Sequence, residues 1–254
     1  MILREFRAGA ASVIVHDDLD ALATRAAADA AGMIAAAIDA RGEAELMLAT
    51  GNSQLAFLDR LVAAGGVDWS RVTAFHMDEY VGISPDHPAS FQRYMRERVA
   101  ARVPLQFHYL SGNTGDAGLE AARYSALLAD HPLDLCCLGI GENGHLAFND
   151  PPVADFDDPL AVKVVDLDDP CRDQQVGEGH FATRDEVPSR AITVTIPALL
   201  SARRVLVIAP EARKAAAVAA ALQGPVATAC PGSALQRCVH ATVHLDAASA
   251  ARLS

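Results

Sequence analysis

The chain has 254 residues, a formal net charge of −11 and 51% hydrophobic residues, which is enough apolar side chain for a sizeable core and too much for global disorder. No Lys/Arg cluster accompanies the acidic balance, so nothing would neutralise a nucleic-acid backbone, and an anionic small molecule would need a local cationic pocket. Cys136, Cys137, Cys171, Cys230 and Cys238 show neither CxxC nor metal-ligand spacing and read as reduced thiols of a cytoplasmic protein. No apolar run long enough to span a membrane is free of charge or glycine, and no export signal is expected at the N-terminus.

In chain order, short β-rich runs alternate with Ala-rich helical ones. The strand "ASVIVH" precedes a helix from about Asp17 to Ala40, and "AELMLAT" precedes one from about Gln54 to Ala64. "RVTAFHM" is followed by a helix near Phe91 to Val99, then another near Gly118 to Ala129, then the strand "LDLCCLGI". After a loop-rich interval come "AITVTI", "RRVLVIAP" with a helix over Ala212 to Leu222, and "HATVHL". This alternation predicts an α/β fold of three layers, a mostly parallel, Rossmann-like sheet with helices on both faces, in a single domain over residues 1–254. The Pro-, Gly- and Asp-dense interval over about residues 150–188 reads as a long loop excursion or lid.

Ligands of open parallel sheets bind outside the carboxyl ends of the strands, and three polar clusters fall there. In "ATGNSQ", Gly51 permits an unusual backbone conformation, Ser53 can cap the following helix, and the free N–H groups of the first turn favour an anion such as phosphate. "FHMDEYVGI" sets Asp78 and Glu79 at the end of a buried strand. "GIGENGHLAFNDPP" brings His145 within two residues of Asn143 and five of Asp150, a common arrangement for general acid/base work near neutral pH. Lys214 stands near the start of a helix after another strand. The histidines lack paired metal-site spacing, and no GxSxG elbow is present, so neither a metal nor a serine nucleophile is expected.

"FHMDEYVGI", "GIGENGHLAFNDP", "VPSRAITVTIPALLSA" and "PGSALQ" followed by "ATVHLD" occur in an order and spacing that resemble the glucosamine-6-phosphate deaminases (isomerases), which share a fold and superfamily with 6-phosphogluconolactonases. The resemblance covers roughly residues 30 to 250, and "NGHLAFND" looks like the deaminase branch. It implies that Asp78 is the base moving a proton between C2 and C1 of an opened amino sugar. By the same likeness, His145 opens the ring with Asn143 and Asp150, and Glu79 has a supporting role. Thr50, Gly51, Asn52 and Ser53 then form the phosphate loop, and Lys214 binds the phosphate.

The chain departs from the family at several of these positions. Asp150 stands for a glutamate, Asn52 for a glycine, and "CRDQQVGEGHF" for a stretch that contributes a phosphate-binding arginine. Arg172 or His180 is expected to compensate, Arg172 being favoured because it is always charged and can be bidentate. The expected activity is isomerisation and deamination of an amino-sugar phosphate, without a cofactor. A 6-phosphogluconolactonase-type hydrolase and a non-catalytic sugar-phosphate sensor are the rivals. Expected partners are a small-molecule sugar phosphate, with no nucleic acid and no membrane, and the choice between monomer and homo-oligomer stays open.

Overall fold

The segments "AELML", "VTAFH", "LCCL" and "RVLVI" are buried along nearly their whole length, as strands covered on both faces must be. The computed structural model describes residues 1–254. In chain order its first half contains β1 (Ile2–Ala8), β2 (Ala11–His16), α1 (Leu19–Arg41), β3 (Ala44–Leu48), α2 (Leu55–Ala63), β4 (Val72–His76), β5 (Asp78–Tyr80), α3 (Phe91–Met95), β6 (Gln106–His108) and α4 (Ala117–Asp130). The second half contains β7 (Leu135–Leu138), β8 (Val162–Asp166), α5 (Asp169–Gly177), β9 (Arg190–Val194), α6 (Ile196–Leu200), β10 (Arg204–Ile208), α7 (Ala215–Gln223) and β11 (Ala241–Asp246).

Eight strands form the main sheet in the order β1-β2-β11-β10-β7-β3-β4-β6, parallel throughout except for the β1–β2 hairpin at one edge. From β3 the chain moves outward through β4 to β6, whereas from β7 it moves the opposite way through β10 to β11. The reversal lies between the paired neighbours β3 and β7, and the crevice it opens at their carboxyl ends is where such sheets take ligands.

Two apolar clusters cover the sheet. One gathers Leu22, Ala26, Ile34, Phe57 and Leu61 of α1 and α2 on one face; the other gathers Tyr124, Leu199, Val218 and Leu222 of α4, α6 and α7 on the opposite side. Helix α1 starts at Asp18, whose side chain accepts the Ala21 N–H at 2.8 Å, and stops at Gly42, whose φ of 85° suits glycine.

The interval read as a loop excursion is more structured than its composition suggests. It holds β8 and α5, and β5, β9 and β8 make a separate three-stranded antiparallel sheet. "AITVTI" therefore belongs to this small sheet and not to the parallel one. A third apolar cluster, with Tyr80, Phe91, Phe148 and Phe181 at its centre, holds it together. The Tyr80 ring lies 5.0, 5.2 and 5.3 Å from those of Phe91, Phe148 and Phe181, within the range of favourable aromatic pairs.

Candidate active site

Ala49 to Ser53 leave β3, Gly139, Ile140, Gly141 and His145 follow β7, Met77 and Asp78 leave β4, and Lys214 follows β10; all of them line one pocket. From the other side Gln174, Gln175, Glu178 and His180 close it.

Asp78 is placed by a change of sheet. The chain leaves β4 at Met77, whose carbonyl accepts the Val194 N–H at 2.8 Å, and enters β5, where Asp78 sits opposite Thr193 of β9. Asp78 is 6% exposed, and its Oδ1 has no hydrogen-bond partner. Burial, then the charges of Glu79 and Asp150, raise its pKa well above the usual carboxylate value.

The His145 loop is tied to the same strand. Thr193 Oγ1 accepts the Phe148 N–H at 3.1 Å, and Asn149 Nδ2 donates to the Val194 carbonyl at 2.9 Å. Thr193 thus fixes Asp78 and the histidine loop relative to each other. His145 Nδ1 lies 2.9 Å from Asp150 Oδ1, which also accepts from Asn143 Nδ2 at 2.7 Å, and Asn143 Oδ1 accepts the His145 N–H at 3.0 Å. With Nδ1–H donated to a carboxylate, Nε2 is the ring nitrogen free to take a proton. Burial would raise the Asp150 pKa, but the charge of His145 and hydrogen bonds from His145, Asn143 and Cys171 hold it below the ordinary value. Gly141 is required here, since a Cβ on it would lie 2.3 Å from the His145 ring. Ala147, at φ 50°, stores backbone strain in the same loop.

At the far end of the pocket Gly51 has φ 99°, ψ 166°, open only to glycine, and the short turn from Asn52 follows it. Lys214 is 4% exposed and is presented by a turn that begins at Glu211, another residue at positive φ (82°). Burial lowers the Lys214 pKa, and the Glu178 carboxylate opposes that shift.

Of the twelve residues read from the sequence, the structure brings Thr50, Gly51, Asn52, Ser53, Asp78, His145, His180 and Lys214 to the pocket wall, with Asn143 and Asp150 directly behind His145. Two lie elsewhere. Glu79 points the opposite way from Asp78, as adjacent strand residues must. It accepts the N–H groups of Tyr80, Phe91 and Gln92 and the Ser90 hydroxyl at 2.8 to 3.2 Å, so it caps α3 and does not face the pocket. Arg172 Nη2 donates to the carbonyls of Arg184 and Val187 at 2.7 and 3.2 Å. Helical phase explains its place: Cys171 and Gln175, four apart on α5, form the buried face, and Arg172 is turned away from it.

The sequence reading missed Glu178, Gln174, Gln175 and Thr193. Glu178 lies between two glycines in a segment already marked as a lid, and that placement is the signal that could have found it. Thr193 carries no such mark, because a threonine in "AITVTI" is ordinary strand sequence.

The profile of the glucosamine-6-phosphate isomerases/6-phosphogluconolactonase family matches residues 17–244. A glucosamine-6-phosphate deaminase from Lactobacillus delbrueckii subsp. bulgaricus is 36% identical over 224 residues, 87% of this chain and 92% of that protein. One from Exiguobacterium sibiricum is 38% identical over 208 residues, 82% of this chain and 80% of that protein. Among solved structures, a monomeric glucosamine-6-phosphate deaminase superposes with a TM-score of 0.86 at 29% identity, covering 94% of this chain and 99% of its own. A 6-phosphogluconolactonase from Shewanella baltica superposes with a TM-score of 0.77 at 21% identity, covering 97% of this chain and 100% of its own, a likeness of fold alone. With strand-end motifs converging on one crevice and a profile match over nearly the whole chain, the protein belongs to the glucosamine-6-phosphate isomerase/6-phosphogluconolactonase family.

Proposed function

We propose that this enzyme converts glucosamine 6-phosphate, or a close hexosamine phosphate, into a ketose phosphate and ammonia. One observation carries the assignment: a buried carboxylate with an unpartnered oxygen and an Asp-bound histidine face the same pocket, whose other end presents a buried lysine and a strand-to-helix turn. The deaminase names of the relatives at 36 and 38% identity support the same reaction.

The chemistry follows from these groups. His145 Nε2 takes the anomeric hydroxyl proton and returns it to the ring oxygen, opening the sugar to the aldehyde. Asp150 holds the imidazole in the required tautomer and stabilises its cation. The Asp78 carboxylate then removes the C2 proton, which the adjacent carbonyl acidifies; the electron pair passes to the carbonyl oxygen, which takes a proton from the C2 ammonium, giving an enolamine. Return of that proton to C1 leaves an imine at C2; water adds there and ammonia departs, giving the ketose. The raised pKa of Asp78 suits this step, because the group must hold the C2 proton after taking it and before returning it to C1. Lys214 and the Thr50 to Ser53 turn hold the phosphate and so fix C1 and C2 against Asp78.

Incubation with a panel of hexosamine 6-phosphates and with 6-phosphogluconolactone tests the assignment. Ammonia in step with ketose phosphate is expected. Acid from the lactone without ammonia would make the protein a lactonase, and tight binding without turnover would make it a sensor.

A further inference from the structure

Lys214 Nζ lies 3.9 Å from Glu178 Oε1, an ion pair between side chains only 5% and 9% exposed. The distance is too long for a hydrogen bond, so Glu178 neutralises the lysine without taking up its donors. The same oxygen lies 3.4 Å from Arg213 Nη1 and accepts from Gln174 Nε2 at 3.0 Å, and Oε2 lies 3.3 Å from His180 Nε2. Lys214 and His180, which line this end of the pocket, therefore face one carboxylate, and Arg213 reaches it from behind while also pairing with Glu211 at 2.6 Å and Glu142 at 3.3 Å. The Glu178 carbonyl also accepts from Asn52 Nδ2 at 3.3 Å, which ties the lid to the strand-to-helix turn at that residue.

A buried ammonium needs a counter-anion, and Glu178 supplies it. A substrate phosphate at Lys214 would meet that carboxylate as a like charge at contact range, and two anions cannot share one buried lysine without a large penalty. The means of yielding are local. Glu178 follows the last turn of α5 and stands between Gly177 and Gly179, and a Cβ added to either glycine would meet nothing within 4 Å.

We propose, on the sugar-phosphate reading of this site, that Glu178 is a specificity-determining internal anion: it occupies the counter-ion position of Lys214 and is displaced by the substrate's phosphate. Glu178 thereby sets how strongly the pocket prefers phosphorylated sugars, because part of the phosphate's attraction is spent in displacing a competing carboxylate. It also couples phosphate arrival to movement of the lid segment that carries Gln174, Gln175 and His180.

The test compares wild type with Glu178→Gln, which keeps the shape and the Gln174 contact but removes the charge. Inorganic phosphate binding, measured by calorimetry, is expected to tighten about 10-fold in Glu178→Gln, the size of one charge-assisted interaction. KM for a turned-over hexosamine 6-phosphate should fall in parallel. Glu178→Asp retains the charge and should stay closer to wild type, which separates competition from misfolding. Weaker phosphate binding in Glu178→Gln would overturn the proposal by making Glu178 a phosphate-supporting group, and unchanged binding would overturn it by removing the competition. Calorimetry with inorganic phosphate needs no turnover. Tightening without ammonia release would therefore uphold the internal anion and reject the deaminase assignment, whereas ammonia release without tightening would do the reverse.

Discussion

Asp78 keeps one carboxylate oxygen without a hydrogen bond, whereas its neighbour Glu79 has both oxygens engaged by four donors. That contrast separates a group held ready for a proton from one that holds structure. Glu79 nevertheless contributes the larger of the two charge effects that raise the Asp78 pKa. In the proposed mechanism Asp78 works as a base only when ionised, so activity should rise with pH through its raised pKa. In Glu79→Gln the acid limb of the kcat/KM profile should move to lower pH, and a limb that stays put would assign it to another group. Glu79→Ala should in addition cost about 3 kcal/mol in urea denaturation, because it strands several donors around the start of α3. Gly141→Ala addresses His145: displacement of the ring by a methyl group should lower kcat/KM on a cyclic substrate by about 100-fold. An open-chain analogue, which needs no ring opening, should suffer far less.

At the level of elements, the site is assembled from two kinds of parts with different legibility. The strand-end turns after β3, β4 and β7 were readable because Gly51, Asp78 and His145 interrupt apolar runs where a parallel sheet places ligands. The small sheet was not, because the buried strand β9 has the same β-branched, apolar composition as a strand of the parallel sheet, and only its partners β5 and β8 distinguish it. Three-residue strands such as β5 and β6 carry too little pattern to detect. Arg172 was misplaced for a related reason, since its direction depends on the phase of α5, and the composition of "DPCRDQQVG" pointed to a loop.

Across the whole molecule, His76 and His244 are buried with pKa values lowered to about 3 from the ordinary 6.5. Burial is the main cause for both, and the neighbouring His16 adds to it for His244. Their folded-state values are depressed, so unfolding between pH 6.5 and about 3 takes up protons. The stability they support is intact above pH 6.5 and is lost as pH falls toward 3. Each histidine contributes a slope of up to about 1.4 kcal/mol per pH unit in that window. His244→Asn should make the stability profile shallower by about that amount between roughly pH 6 and 4, whatever its effect at neutral pH, and an unchanged slope in denaturant melts would contradict the buried neutral state. The main sheet that buries these histidines also sets the crevice between β3 and β7, so one scaffold serves stability and chemistry together. The central claim, that Asp78 carries a proton between C2 and C1, is tested most directly by deuterium transfer. Wild type turning over glucosamine 6-phosphate deuterated at C2 should place that label at C1 of the ketose phosphate, and Asp78→Asn should reduce both turnover and incorporation of the label at C1 by about 100-fold or more. Undiminished incorporation in Asp78→Asn would contradict the account.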